Sequence, residues 1–164
     1  MSAYERAKII IETIQYMTIA TVCEDGTPWN SPVATAYDED LNFYWKSWTE
    51  NQHSRNICNN KNIFIVIYDS RAKAGEGEGV YIKAHAIPLL EDEEQEIIKA
   101  YNVLKNRSGY ASSSPEEFVS GVPRRIYKAV PEKIWVNDGG TKNGSFIDVR
   151  NELSLKELKK QIKS

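Results

Sequence analysis

Cysteine is scarce in this chain, and the little there is forms no motif. Cys23 and Cys58 are the only cysteines among 164 residues, and they lack the spacing of a metal site or a disulfide framework. No apolar run approaches the ~18 residues that a membrane span needs, and the first residues lack the unbroken apolar core of a signal peptide. We therefore expect a cytoplasmic protein with reduced thiols.

An excess of either charge is also missing. The formal net charge is −2, and the 21 Lys and Arg residues are scattered along the chain, which argues against a nucleic-acid-binding surface. The only histidines, His53 and His85, have no zinc-site spacing with each other or with the cysteines. No metal is predicted.

Catalytic signatures are absent as well. The sequence contains no nucleophile elbow and no kinase motif. The glycine-rich segment 75–79 precedes a strand-like run, whereas a nucleotide-binding loop precedes a helix whose N-terminus faces the phosphates. We interpret this segment as a flexible hairpin loop. Any chemistry therefore falls to a bound cofactor, and no catalytic residue is predicted.

What the chain does contain is a regular succession of short β-type runs. They lie at 17–23, 28–37, 41–47, 63–68, 79–90 and 126–136, with 63–68 predicted to be buried on both faces and 138–145 a polar loop. Helices are predicted at 3–16, 52–60, 91–105, from 112–117 and at 154–162, with Ser2 and Ser154 as caps. Runs joined by hairpin turns close most easily as a small antiparallel barrel. The sequence thus predicts one mainly β domain over 1–164 with peripheral helices, including an N-terminal helix and a C-terminal helical tail.

The stretch 18–57 is the most informative part of the chain. Three β-type runs lead onto a helix start that carries Gln52, His53, Ser54 and Arg55. Free backbone N–H groups and polar side chains at a helix N-terminus can capture an anion such as a phosphate. The alternative is a solvated helix start in which Arg55 pairs with a nearby acid.

The tryptophans also allow two interpretations. An indole buries a large area and needs one partner for its N–H, so packing in a core or an interface is favoured. The alternative is a stacking wall for a flat aromatic ligand. The tryptophans concerned are Trp29, Trp45, Trp48 and Trp135.

In their order and spacing, a set of motifs resembles the pyridoxamine 5'-phosphate oxidase-like family of FMN-binding split barrels. The resemblance covers residues 5–137. The motifs are A-T-V-x-x-D-G-x-P at 20–28, S-P-V-A-T at 31–35, F-Y-W-K-S at 43–47, H-S-R-N-I at 53–57, I-F-I-V-I-Y-D at 63–69, G-E-G-x-G-V-Y-I-K-A-H-A at 75–86 and P-E-K-I-W-V at 131–136.

The resemblance implies a six-stranded antiparallel split β-barrel that forms a homodimer, with two FMN sites at the subunit interface. The second strand would receive the flavin edge, the third would follow the ribityl chain and ring, and the helix start would hold the phosphate. A late tryptophan from the partner subunit would approach the flavin. The matching residues are, in the same order, Ser31, Pro32, Val33, Ala34 and Thr35; Trp45, Lys46 and Ser47; Gln52, His53 and Ser54; and Trp135.

Two departures from the family pattern bear on function. Members that oxidise pyridoxamine 5'-phosphate carry an Arg/Lys pair at the phosphate position, where this chain has Gln52 and His53, which offer fewer charge-assisted bonds. Such members also carry a C-terminal R-x-H-D-R segment, which this chain lacks after Trp135. The second departure argues against oxidation of the vitamin.

The resemblance therefore implies an FMN-binding oxidoreductase-like protein that acts on an unidentified small substrate by flavin redox chemistry. The alternative is a non-catalytic module that binds or stores a flavin, a deazaflavin or haem, because a fold does not fix a function. Substrate choice would depend on the wall above the flavin ring, to which 71–77, 110–123 and the tail after Trp135 are expected to contribute.

Overall fold

The structure, a computed structural model, describes residues 1–108, 114–119 and 121–163. Its helices are α1 (Ala3–Thr13), α2 (Gln52–Asn59), α3 (Glu94–Ser108) and α4 (Leu155–Ile162), and a 3₁₀ helix covers Pro115–Phe118. Its strands are β1 (Tyr16–Val22), β2 (Pro28–Ala34), β3 (Ala36–Tyr37), β4 (Phe43–Trp48), β5 (Asn62–Tyr68), β6 (Gly79–Pro88), β7 (Arg124–Lys142) and β8 (Ser145–Leu153).

All eight strands belong to one antiparallel sheet that closes on itself. The hydrogen-bonded order is β2-β1-β5-β6-β7-β4-β3, and β8 pairs with the far half of β7. Because only Thr35 separates β2 from β3 along the chain, the two ends of this order meet and form a barrel. Six strands make the wall, with β3 as a short continuation of β2. This confirms the mainly β split-barrel fold that the sequence predicts.

The barrel interior is filled by one face of each strand. Along β1, Met17 and Ile19 are buried and alternate with more exposed residues, as the two-residue period of a strand requires. β5 follows the same alternation, with Ile65 buried and Phe64 38% exposed. The prediction that this apolar run is buried on both faces is therefore wrong, because a barrel wall leaves one face of each strand outside.

A second, smaller apolar cluster lies outside the barrel, beneath α3. Ile97 and Leu104 of α3 pack there with Tyr44 of β4 and with Phe118 of the 3₁₀ helix. Ile98, also on α3, is 41% exposed. The cluster fastens α3 against the outer side of β4.

Local capping fixes the two terminal helices. The Ser2 hydroxyl accepts a bond from the Glu5 N–H at 3.2 Å and the Glu5 carboxylate accepts one from the Ser2 N–H at 2.6 Å, which is a complete capping box. Ser154 caps α4 in the same manner on its hydroxyl side. Both predicted caps are confirmed. Of the helix predicted from 112–117, residues 112 and 113 lie outside the described part, and Ser114 precedes the 3₁₀ helix.

A β-hairpin stands where a polar loop is predicted at 138–145. β7 is a single strand, bent where its register with β6 shifts near Pro131, and it continues to Lys142. Asn143 and Gly144 form the turn, with φ angles of 52° and 77°, as type I′ hairpin turns require. We call residues 138–152 the arm, which extends beyond the barrel. The loop prediction was wrong because a hairpin that buries neither face leaves no apolar alternation in its sequence.

Within the described ranges, no helix combines the length and the apolar character that crossing a membrane would need.

Candidate functional site

The barrel is split between β2 and β4. These strands approach each other, but β2 makes ladder bonds only with β1, whereas β4 makes them with β7 and, through Phe43 and Tyr44, with β3. In the part of the chain described above, the facing edges at 31–34 and 45–47 therefore have no ladder partner. We call this gap the slot. Unpaired N–H and C=O groups along its edges are available to a ligand.

Thr35 closes one end of the slot. Its hydroxyl donates to the Tyr44 carbonyl at 3.0 Å, and its backbone N–H donates to the Gln15 carbonyl at 3.0 Å. The side chain is 2% exposed. The first bond holds the end of β2 against β4, and the second holds it against the segment just before β1, at the point where the chain changes its pairing partner.

His53 of α2 closes the other end. Its Nε2 lies 2.7 Å from the Ser47 Oγ on β4, and its Nδ1 lies 3.1 Å from the Ser31 Oγ on β2. The side chain is 8% exposed, and this burial lowers the pKa of the imidazole below its ordinary value. We call this contact the His53 bridge. It joins one predicted cofactor residue from each of three separate segments.

Two residues that the sequence did not assign to the site complete this junction. Asn51 Nδ2 donates to the Ser47 Oγ at 2.8 Å, and Trp29 Nε1 donates to the Ser31 Oγ at 3.1 Å. Each serine oxygen thus accepts one N–H in addition to its contact with His53. The signal for Asn51 was its place directly before α2, but that place predicts a cap, and its side chain makes no capping bond.

The start of α2 is open to an anion through its backbone. The N–H groups of a first helical turn have no intrahelical partner, and here the first turn contains no acidic residue. The Gln52 amide donates to Asn56 at 2.8 Å, and Arg55 donates to the Gln52 side chain at 2.9 Å. Arg55 also lies 3.8 Å from the Glu50 carboxylate. The ion pair of Arg55 that belongs to the alternative interpretation is therefore present, and the first turn has no side-chain cap.

Two predicted cofactor residues have fully buried side chains. Trp45 is 0% exposed and stacks on Tyr127, with ring centroids 5.5 Å apart. Ser54 is also 0% exposed. The packing interpretation therefore holds for Trp45, and neither residue exposes its side chain to a ligand.

The remaining slot residues alternate in direction along their strands. Val33 faces the core and is 8% exposed, whereas Pro32, Ala34 and Lys46 face outward. The Lys46 ammonium lies 5.8 Å from the centre of the Phe118 ring. Burial and, next, the neighbouring Arg124 lower the pKa of Lys46. Of the slot residues, Lys46 thus carries the one cationic side chain.

Trp135 lies on the outer face of the sheet, on the part of β7 that β4 does not reach. It pairs with Tyr81 of β6 and stacks on Phe64 of β5, with ring centroids 6.1 Å apart. Tyr16 and Tyr68 are 58% and 49% exposed on the same face, beside a surface cavity of about 520 Å³ that also reaches Pro32. Within one subunit, Trp135 and the slot are therefore separate.

The family comparison covers most of the chain. A model of the family described as pyridoxamine 5'-phosphate oxidase matches residues 4–137. The match includes the whole slot and ends where the arm begins. A comparison with curated protein sequences found no match.

Solved structures share the fold at low identity. A haem-binding protein from Mycobacterium smegmatis is 17% identical with a TM-score of 0.66, over 92% of this chain and 58% of that one. An FAD-binding protein from Mesorhizobium loti is 17% identical with a TM-score of 0.60, over 83% and 94%. A protein named F420 reductase is 20% identical with a TM-score of 0.58, over 78% and 94%. The chain spans only 56% and 58% of two matched structures, and such identities show the fold alone.

Proposed function

This chain belongs to the pyridoxamine 5'-phosphate oxidase family, and we propose that it is an FMN-binding oxidoreductase acting on a small substrate. The observation that carries the proposal is the slot: two strand edges without ladder partners, closed at both ends and adjacent to an uncapped helix start. A bound FMN would supply hydride or electron transfer, and the protein would orient it and tune its electronics.

The residues present suit such a cofactor. A flavin ring has a polar edge that needs both donors and acceptors, and the backbone at 31–35 and 45–47 offers both. The phosphate would bind at the first turn of α2, which contains Gln52, His53 and Ser54 and where the helix dipole favours an anion. Of these three residues Gln52 is the one that is not buried, so its backbone N–H would be the first donor. The side chains of these three residues are engaged with other groups or buried. Phosphate binding through the backbone is therefore compatible with the missing Arg/Lys pair.

The direct test is the visible spectrum of the purified chain. We expect a yellow protein, or a colourless one that quenches the fluorescence of added FMN with saturable binding. Reduction of the bound flavin by a nicotinamide cofactor would support the oxidoreductase. A chain that neither carries nor takes up FMN would contradict the proposal.

We also propose a homodimer formed through the outer face that carries Trp135. Phe64, Tyr16 and Tyr68 are exposed there, and monomeric proteins rarely leave a contiguous apolar patch uncovered. A two-fold arrangement would cover this face and bring the partner subunit's Trp135 towards the slot.

Light scattering tests the dimer. We expect the native chain to be dimeric and Phe64→Glu to be monomeric, because the substitution buries a charge at the interface. Ile98→Glu, on α3 and 41% exposed in the native chain, is the matched control and should stay dimeric. A monomeric native chain at micromolar concentration would contradict the proposed interface.

A second candidate function is non-catalytic binding or storage of a flavin, a deazaflavin or haem. The observation in its favour is the scarcity of cationic side chains at the start of α2, together with related folds named for haem, FAD and F420. Parallel titrations with FMN, F420 and haem would separate the candidates. Tight binding of haem or F420 with weak binding of FMN would favour the second function over the first.

The proposed function also includes a cellular location. Both cysteines are free thiols, and we propose a cytoplasmic location because reduced thiols are typical of that compartment. Oxidation of pyridoxamine 5'-phosphate itself is not proposed, because the segment that grips the vitamin in such enzymes has no counterpart here.

A further inference from the structure

The slot depends on side chains to hold its two edges together. Along most of the barrel, neighbouring strands are joined by ladder bonds, but 31–34 of β2 and 45–47 of β4 share none. The bonds that cross between these strands are at the ends of the slot: Thr35 to the Tyr44 carbonyl, and the His53 bridge. The Thr35 contact lies where the chain itself joins β2 to β3, so the open end relies on His53.

The donors and acceptors around His53 match those of a neutral imidazole. A neutral ring has one donor and one acceptor nitrogen. Ser31 already accepts from Trp29, and Ser47 already accepts from Asn51. One serine can therefore donate its hydroxyl hydrogen to the ring while the other accepts from it. Both ring nitrogens and both serine oxygens then have a partner, as buried polar atoms require.

The same geometry argues against a phosphate contact through the imidazole. Both ring nitrogens are within 3.1 Å of serine oxygens, and the side chain is 8% exposed. A phosphate oxygen would have to displace one of the two serines. The backbone N–H of His53 is free of that constraint.

We propose that His53 is a positioning residue whose imidazole links Ser31 to Ser47 and thereby fixes the width of the slot, without touching the cofactor phosphate. This inference rests on the proposed function for the identity of the ligand. It rests on the hydrogen bonds alone for the link between the strands.

Comparing FMN with riboflavin, which lacks the phosphate, tests the role of the imidazole. We expect His53→Ala to weaken binding of both ligands by the same factor, roughly tenfold, because two hydrogen bonds that preorganise the slot are lost. His85→Ala, the other histidine and an exposed residue of β6, is the control and should bind both normally. A loss confined to FMN would place the imidazole on the phosphate and overturn the proposal, as would unchanged binding of both.

A measurement on the ligand-free protein tests the strand link directly. In His53→Ala, amide hydrogen exchange in β2 should accelerate by roughly tenfold relative to His85→Ala, since two bonds no longer hold that strand. Exchange in β6 should be unchanged. Slow exchange in β2 of His53→Ala would overturn the proposal even if flavin affinity fell. If the native chain bound no flavin at all, the proposed function would fail, and this experiment would still decide whether His53 joins the strands.

Conservative and partner variants separate positioning from general loss of structure. His53→Gln retains a donor and an acceptor and should recover part of the riboflavin affinity. Ser31→Ala and Ser47→Ala each remove one side of the bridge, so adding either to His53→Ala should cause little further loss. Fully additive losses of riboflavin affinity in the double variants would overturn the proposal that His53 links the two serines. If His53→Ala failed to fold, the two serine variants would carry the same comparison.

Discussion

The slot and the arm are held together in opposite ways. At the slot, side chains from three different elements, β2, β4 and α2, meet in a buried junction at His53. In the arm, neighbouring residues of one hairpin pair through backbone bonds, and every β8 residue before Leu153 is exposed. Buried links between separate elements should open only with the whole barrel, whereas an exposed hairpin can open locally.

The boundary between the barrel and the arm coincides with the end of the family match. Residues 4–137 match the family model and contain the slot, whereas the arm begins at Asp138. The proposed cofactor site therefore lies in the part of the chain that the barrel core stabilises. Substitutions in the barrel should change global stability, and substitutions in the arm should change only the arm.

The largest expected change in the free energy of unfolding is for a substitution at Trp45. Its side chain is fully buried and stacked on Tyr127, so Trp45→Ala should lower the free energy of unfolding by about 3–5 kcal/mol. The corresponding substitution in the arm is Phe146→Ala, because Phe146 is 77% exposed. It should change the free energy of unfolding by less than about 0.5 kcal/mol. Denaturant unfolding measures both. Similar decreases in the free energy of unfolding of the two variants would contradict the proposed difference between barrel and arm.

An intermediate, pH-dependent effect is expected at Asp38. Its carboxylate is 3% exposed and accepts bonds from Asn42, Tyr44 and Lys99. Burial acts to raise the pKa of Asp38, but the hydrogen bonds from Asn42 and then Lys99 and Tyr44 outweigh it, and the pKa lies below its ordinary value. The stability contributed by this group is therefore present above about pH 4 and is lost as pH falls through the lower folded-state pKa.

Asp38→Asn should accordingly lower the free energy of unfolding by about 2 kcal/mol at pH 7, since charge-assisted bonds are lost. The gap to the native chain should begin to narrow below about pH 4, where the unfolded carboxylate becomes protonated, and should close as pH falls through the lower pKa of the native Asp38. Asp148→Asn in the arm is the control, and it removes an exposed ion pair with Arg150 that should leave global stability unchanged. A gap of constant size between pH 7 and pH 3 would contradict the role given to the charge.

Local signals in the sequence predicted the barrel well. The helix caps at Ser2 and Ser154 and the alternating apolar residues of β1 depend on neighbours in sequence, and the structure contains them. The arm was missed because neither of its faces is buried. Its Asn143–Gly144 dipeptide is nevertheless a strong hairpin signal, and it could have corrected the prediction.

The sequence named candidate cofactor residues but could not predict their mutual contacts. The resemblance implied Ser31, Ser47 and His53, and their cofactor role stays a prediction, whereas the hydrogen bonds between them depend on how β2, β4 and α2 meet in the folded barrel. Strand alternation could have shown that Trp45 and Ser47 share the inward face of β4. It could not have shown that α2 covers that end of the barrel, because packing of a helix on a barrel end depends on the whole fold.

The smallest change in the free energy of unfolding is expected for a substitution at Gly140 in the arm. The same substitution should have a clear local effect on β8. A Cβ at this position would lie 2.6 Å from Val149 Cγ2 and 3.1 Å from Ile147 Cγ1, so Gly140→Ala must displace a β-branched side chain across the hairpin. Amide exchange in β8 should accelerate, while the free energy of unfolding changes by less than about 0.5 kcal/mol, because no barrel contact is altered. Gly77→Ala is the control, since its nearest atom would be the Ala72 Cβ at 3.9 Å, and β8 exchange should be normal. A global loss in Gly140→Ala would mean that the arm and the barrel unfold as one unit, and the contrast between them would fail.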